Sequence, residues 1–441
     1  MINRTYQDYV QAGDQPAFLL ACIDHYKASA RYRQAMVAQA YYSGNNTAIM
    51  QMQPLRMPLQ SGLYTLPFAK IPSNIFRRMV MQVCAYELSQ GVHINQKAMA
   101  HTLGTQADRL LLSGAMHAMV HGVCYAYFTQ EGINRLFTAL HCFMLADAQT
   151  AENKLAVHFW SVPSLQGEKM YFQLFEADGV TLYAVQDDTP VLQQAKQPYA
   201  QVVHTHPTLG DTVIAVKNPP ALPIIPLYTN ERQESELTPN IKSKIDALDE
   251  IVSRNATFVN RTAMIYWLIN STQSGDPEVI GQMVEELERL GIAVNDSEAG
   301  LSAEPRAIDP NVDPRLRTKQ ALEDDIYKDF MALDMEQLAR GTTTATAINA
   351  SFAMLKMRAN LLYYHIEDFL RQACALLGTP LVSLSVKEMT MTNELERLQA
   401  VYLARDDIGK QKALELNPFI EPEEVEGLMN EQQKGKPLCN G

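Results

Sequence analysis

The sequence predicts an α+β protein, mostly helical, on three observations. Ala345 to Leu377 carries heptad-spaced apolar residues, the pattern of one very long helix. Short β-rich runs separated by Gly and Asp-Gly turns fill residues 123 to 217. A proline-dense stretch, Asn218 to Leu227, divides those runs from a second long amphipathic helix.

In the first of these, Ile348, Phe352, Leu355, Ala359, Leu362, Ile366, Phe369, Ala373 and Leu376 alternate in steps of four and three. Such a helix is a rod of about 50 Å. Gly378 is placed to cap it, Pro380 blocks continuation, and Arg340-Gly341-Thr342-Thr343-Thr344 leads into it as a loop able to supply a hydroxyl cap. The plain reading is a core helix of a large domain.

Taken in order, Pro16 to Tyr42 reads as one helix ending at Ser43-Gly44, and residues 45 to 70, with three prolines, as an extended connection. Ile71-Pro72-Ser73-Asn74 opens the next helix, with Ser73 or Asn74 as its cap and Ile75, Met79, Val80, Val83 and Leu88 inward. A third runs from Gln106 to His121 and closes at Gly122. Strands follow at Val123–Phe128, Ala156–Trp160, Met170–Phe175, Thr181–Val185, Gln201–His206 and Thr212–Val216.

The four prolines in Asn218–Leu227 exclude an interior strand and mark a boundary. After Thr238-Pro239-Asn240 a helix is expected to about Asn270, with Ile241, Ile245, Leu248, Val252, Val259 and Ala263 on one face. Ser271 to Pro314 reads as a compact insertion holding a charged helix, Pro277 to Leu290. Leu316 to Leu333 is helical again, with Leu322, Ile326, Phe330 and Leu333 as its stripe, and Asp334 to Thr344 is a loop. Beyond the rod come a strand-like Leu381 to Val386, a helix to Leu403 and an acidic tail.

Composition excludes several classes. The 441 residues are 47% apolar and 20% charged, which suits a globular chain of roughly two to four domains. The net charge of −12 argues against a general phosphate-neutralising coat, although residues 1 to 100 carry nine Lys/Arg against four Asp/Glu. Six scattered cysteines without CxxC suit a reducing compartment and buried thiols. The polar opening and the lack of a long apolar run predict a soluble, intracellularly made protein with no membrane span.

Catalytic signals are weak. His117 and His121 stand four apart on a helix, but Ala118 occupies the carboxylate position of HExxH. His204 and His206 share a strand face. Zinc needs three or four ligands, so both pairs read as packing or surface histidines. No P-loop, GxSxG or dinucleotide fingerprint occurs, and adjacent acids such as Asp324-Asp325 point to different sides of a helix. The residues name no catalytic group, metal or cofactor.

Four stretches resemble the portal proteins of tailed double-stranded DNA bacteriophages, of the siphophage type. Arg31-Tyr32 through Tyr41-Tyr42-Ser43-Gly44 is similar to the family's first helix, and Ile71-Pro72-Ser73-Asn74 with its helix to the next element. Leu222 to Asn230, followed by Ile245-Asp246-Ala247-Leu248-Asp249, resembles the family's proline-rich strand and first stem helix. Gly341-Thr342-Thr343-Thr344-Ala345 with the rod resembles the tunnel loop and its following helix. Thr229 departs from the pattern, standing where the family often has a second Asn beside Asn230.

The resemblance implies a portal fold with wing, long-helix stem, clip insertion and small helical crown. Its parts would be a wing at 1–220, a linker strand and first stem helix at 221–270 (Ile241, Ile245, Asp246, Leu248, Asp249, Val252), and a clip at 271–315. A second stem helix and tunnel loop would occupy 316–344, with Arg340, Gly341, Thr342, Thr343 and Thr344 facing DNA. The long helix at 345–378 and a crown and acidic tail at 379–441 would complete it. It further implies a non-enzymatic, cofactor-free ring, usually of twelve copies, at one capsid vertex of a virion assembled in the bacterial cytoplasm. The ring would pass double-stranded DNA during packaging and ejection. Its partners would be the terminase large subunit, a head-completion or adaptor protein, and the major capsid or scaffolding protein. The competing readings are an intracellular metal-dependent hydrolase using His117 and His121, and a non-viral helical scaffold.

Overall fold

A computed structural model of the chain describes residues 4–54, 56–59, 62–65, 68–164, 167–206, 210–216, 218–262, 266–270, 302–306, 313–334, 345–386, 401–405 and 409–417, with single positions between 420 and 429. Among the described residues helix outweighs strand, in agreement with an α+β class.

The chain opens with α1 (Tyr6–Gln11), α2 (Gln15–Lys27) and α3 (Ala30–Tyr42), then α4 (Thr47–Gln51) and the hairpin β1 (Arg56–Leu59)–β2 (Gly62–Thr65). Next come α5 (Ile75–Leu88), β3 (Val92–Ile94), β4 (Lys97–Ala98), α6 (Met99–Leu103) and α7 (Ala107–His121). Strands β5 (Val123–Thr129), β6 (Gly132–Thr138), β7 (Cys142–Ala146), β8 (Asn153–Ser164), β9 (Gly167–Glu176), β10 (Gly179–Gln186) and β11 (Thr189–Gln197) run on almost without interruption. They are followed by β12 (Gln201–His206), β13 (Gly210–Val216) and β14 (Ile224–Tyr228). The remainder is α8 (Pro239–Thr262), β15 (Tyr266–Asn270), β16 (Ser302–Arg306), α9 (Asp313–Phe330), α10 (Ala345–Leu376), β17 (Leu384–Val386) and α11 (Lys410–Glu415).

These elements form two compact units: one of residues 1–44, 74–239 and 327–441, the other of 45–73 and 240–326. In the larger, β11-β10-β9-β8-β7 make an antiparallel sheet. The two-residue strand period sends Leu155, Val157 and Phe159 of β8 to one face, against Tyr9, Leu19, Cys22, Ile23 and Tyr26 of α1 and α2. Ala156 and Phe175 point the other way, onto Tyr125, Phe137 and Ile224 of the sheet β14-β5-β6. The far face of that second sheet meets helices, with Phe128 against Phe369 of α10 at 6.0 Å between ring centroids. Leu227 of β14 lies beside Gly114 of α7.

The prolines stay out of a sheet interior, as expected. Among the described residues Ile224–Tyr228 is an edge strand that pairs only with β5, so Pro226, opposite Tyr125, removes no ladder bond from a sheet interior. Gly122 caps α7 at φ 88, and a Cβ there would lie 2.5 Å from the Gln233 carbonyl oxygen, so both its conformation and its neighbours require glycine.

Several expectations are corrected. The single helix over Pro16–Tyr42 is two, because the Ser29 hydroxyl accepts the Tyr32 N–H and starts α3 afresh. Helix α1, unforeseen, is signalled by a capping box: Thr5 and Asp8 each accept the other's backbone N–H. Residues 45 to 70 contain α4 and a hairpin rather than one extended run. The helix expected to reach Asn270 stops at Thr262, and the aromatic and β-branched Tyr266–Asn270 instead pairs antiparallel with Ser302–Arg306. Asn74 is the N-cap of α5, one of the two residues expected there, though its side chain makes no capping hydrogen bond. The charged helix expected at Pro277–Leu290 lies outside the described residues.

Candidate functional site

The rod stands as one helix, Ala345–Leu376. Leu355, Ala359, Leu362, Ile366, Phe369 and Ala373 of its seam are buried, and Leu370 and Cys374 widen the buried face. Its end is a Schellman turn: Gly378, at φ 74, donates its N–H to Ala375 O (3.2 Å) and Thr379 to Cys374 O (2.9 Å). Beyond it, Asn95 holds the returning chain. Its Oδ1 accepts the N–H groups of Val382 (2.7 Å) and Ser383 (3.0 Å), and its Nδ2 donates to Pro380 O.

The loop that leads into the rod was expected to present Arg340, Gly341, Thr342, Thr343 and Thr344, which lie outside the described residues. The arms on either side of it are described. Helix α9 closes at Phe330 with a second Schellman turn, whose left-handed position is filled by Met331 at φ 58 instead of glycine. Leu333, two residues later, is fixed by Gln82 of α5, which donates to its carbonyl (2.9 Å) and accepts its N–H (2.8 Å). One turn along α5, Tyr86 stacks on Phe352 of the rod at 6.4 Å. Positions four apart share a helix face, so one face of α5 holds both arms.

The rod is also tied to the loop after β14. Arg358 forms an ion pair with Glu236 and stands over the Phe330 ring. Asn230 donates to Glu236 Oε1 (2.9 Å) and to Glu234 O (2.7 Å) and accepts the Glu234 N–H, closing the turn. Arg31 donates to the Gln233 carbonyl. Thr229 is buried, and its hydroxyl has no hydrogen-bond partner among the described residues.

In the smaller unit, the residues expected on the first stem helix fall into two groups. Ile241, Ile245 and Leu248 are buried, Val252 is half-buried, and Val259 is 44% exposed, so the apolar stripe fades along α8. Ala263 lies outside the described residues. Two polar residues are buried as deeply as Ile245 and Leu248: Asp249 is 1% exposed and Ser253 0%. Asp249 accepts the Ser73 N–H (2.8 Å) and a bond from Asn46 Nδ2, Ser253 accepts the Ile71 N–H (2.9 Å), and Thr257 accepts the Ala69 N–H (3.0 Å).

Sequence analysis missed this clasp, and its geometry is simple. Four helical residues advance about 6.0 Å and two extended residues about 6.6 Å, so every fourth side chain of α8 meets every second amide of the strap 69–73. Pro72, which has no N–H, falls at a position where none is needed. Burial pushes the Asp249 carboxyl above its ordinary value of 3.8, opposed by the bonds from Asn46 and Ser73. Asp246 pairs with Lys242 at 2.7 Å.

His117 and His121 stack at 5.8 Å, and burial lowers both, His121 to about 3. His121 Nε2 meets Gln39 Oε1 at 2.8 Å. Among the described residues no group of three or more His, Cys, Asp or Glu is placed to hold a metal ion. No described helix is long and apolar enough to cross a membrane.

No curated protein matches the chain. A family model described as "Phage portal protein, SPP1 Gp6-like" matches residues 21–437, nearly the whole length. With that span matched, the chain belongs to the SPP1 Gp6-like family of phage portal proteins.

Proposed function

We propose that copies of this chain form a ring at one capsid vertex and serve as the conduit through which double-stranded DNA is packaged and ejected. The observation that carries this reading is the family match over residues 21–437. Family membership makes the chain a structural component of the phage head that assembles as an oligomer with DNA. The finer assignment is twelve copies, docked first by the terminase large subunit and afterwards by a head-completion or adaptor protein, with capsid or scaffolding protein around the ring.

In this reading residues 1–220 are the wing, the helices within 240–270 and 316–333 the stem, 271–315 the clip and 379–441 the crown. The pairing of β15 with β16 supports an insertion that leaves and returns at one place, since Asn270 lies opposite Ser302. Arg340 and Gly341 to Thr344 face the DNA. Small hydroxyl side chains there would let a phosphate backbone slide, because tight binding grows with each phosphate neutralised.

Negative-stain microscopy of the purified chain tests the reading. Rings with a central hole are expected, and a uniform particle without hole or rotational symmetry would overturn it. Gly341→Pro is expected to impair DNA packaging while rings persist. Loss of the rings in that variant would remove the loop from the channel.

A further inference from the structure

The rod carries a second apolar line that the described residues leave exposed. Met354, Met357, Leu361 and Tyr364 are 45%, 53%, 50% and 63% exposed, and their spacing is again three, four, three. At 100° per residue this line lies on the opposite side of α10 from Leu355, Ala359, Leu362 and Ile366. One helix therefore has two apolar faces, one packed within the larger unit and one facing outward for about three turns.

Single exposed apolar residues are ordinary, but four in register make a patch. At these exposures they offer on the order of 400 Å², about half of what one partner contributes to a standard protein interface. None of the four carries a charge, so a phosphate backbone finds nothing on this line to hold. Two are methionines, whose flexible thioethers adapt to a surface that is not an exact mate.

We propose that this outward seam of α10 is the face through which one copy of the chain docks on a second copy. The inference rests on the ring reading above and names the surface that reading needs. A contact of α10 on another α10 would be isologous and would stop at a dimer. In a closed ring the seam of each copy meets a different face of the next.

The test is the assembly state of the full chain carrying Met357→Lys and Leu361→Asp, measured by light scattering after size exclusion and by negative stain. Monomers with wild-type helical content by circular dichroism are expected. Val382→Asp, at an exposed apolar residue off the seam, is expected to assemble like the wild type. Rings from the seam variant beside rings from the wild type would overturn this inference and leave the ring reading standing. A wild-type chain that stays monomeric would overturn the ring reading and this inference with it. Should the seam variant misfold, a benzophenone side chain in place of Tyr364 decides the matter in the otherwise native chain. Light-induced adducts to a second copy, at residues outside α10, are expected, whereas adducts confined to one chain would overturn the assignment.

Discussion

The two long helices of this protein are held in opposite ways. The rod α10 is fixed by a line of apolar side chains, Leu355 to Ala373, and by ring contacts such as Phe369 with Phe128. Helix α8 buries three apolar residues near its start and then depends on Asp249, Ser253 and Thr257, which grip the backbone of the 69–73 strap. The first attachment is non-directional and scales with the area buried. The second depends on particular donor and acceptor atoms, so losing one partner leaves a buried polar group unsatisfied.

The largest expected effect falls on the rod. Ile366→Ala should cost about 3–4 kcal/mol, since Ile366 is fully buried and a large-to-small change there adds a cavity to the lost transfer energy. Denaturant unfolding checks it, and a deficit under 1 kcal/mol would mean that the seam is not what holds α10.

Asp249→Ala comes next, at about 2–4 kcal/mol, because the Ser73 amide and the Asn46 side chain lose an acceptor together. Hydrogen exchange at the Ser73 amide reports it directly, and unchanged protection would remove Asp249 from the clasp. This effect has a pH signature that the rod lacks. The native state holds the Asp249 proton more tightly than the unfolded chain does, so its contribution is greatest below the ordinary value of 3.8. It declines as pH rises through the raised folded value and is flat above that. Wild type should therefore lose stability relative to Asp249→Asn as pH rises through that window, while the Ile366→Ala deficit stays constant. A flat difference for Asp249→Asn would contradict the buried carboxyl.

The smallest effect is at the far end of the clasp. Thr257→Val removes one acceptor for the Ala69 amide in a half-buried place and should cost about 1 kcal/mol. Faster exchange at Ala69 with Ser73 unaffected would show that the contacts open one at a time. Equal loss at both would show a single cooperative strap.

The contrast explains what was legible. The seam of α10, the Gly122 and Gly378 caps and the edge placement of Ile224–Tyr228 could all be read from spacing and residue type, because periodic apolar burial and backbone geometry are local properties. The Thr5–Asp8 capping box is local in the same sense, a Thr and an Asp three residues apart. The clasp was not readable. Asp249, Ser253 and Thr257 at four-residue spacing look like a solvated face, and only the approach of a strap from almost two hundred residues away makes them the interior.

By itself, the sequence determined the helical rod, the β-rich run, the edge strand and the resemblance that the family match bears out. Tertiary structure decided where α8 ends, that Tyr266–Asn270 is a strand, and which polar atoms are buried along α8. It also decided that Met354, Met357, Leu361 and Tyr364 face outward while the seam on the opposite side of the helix faces in. The physical reason is the same throughout. Periodicity tells which residues share a face, but what covers that face is set by segments distant in the chain, or by another copy of it.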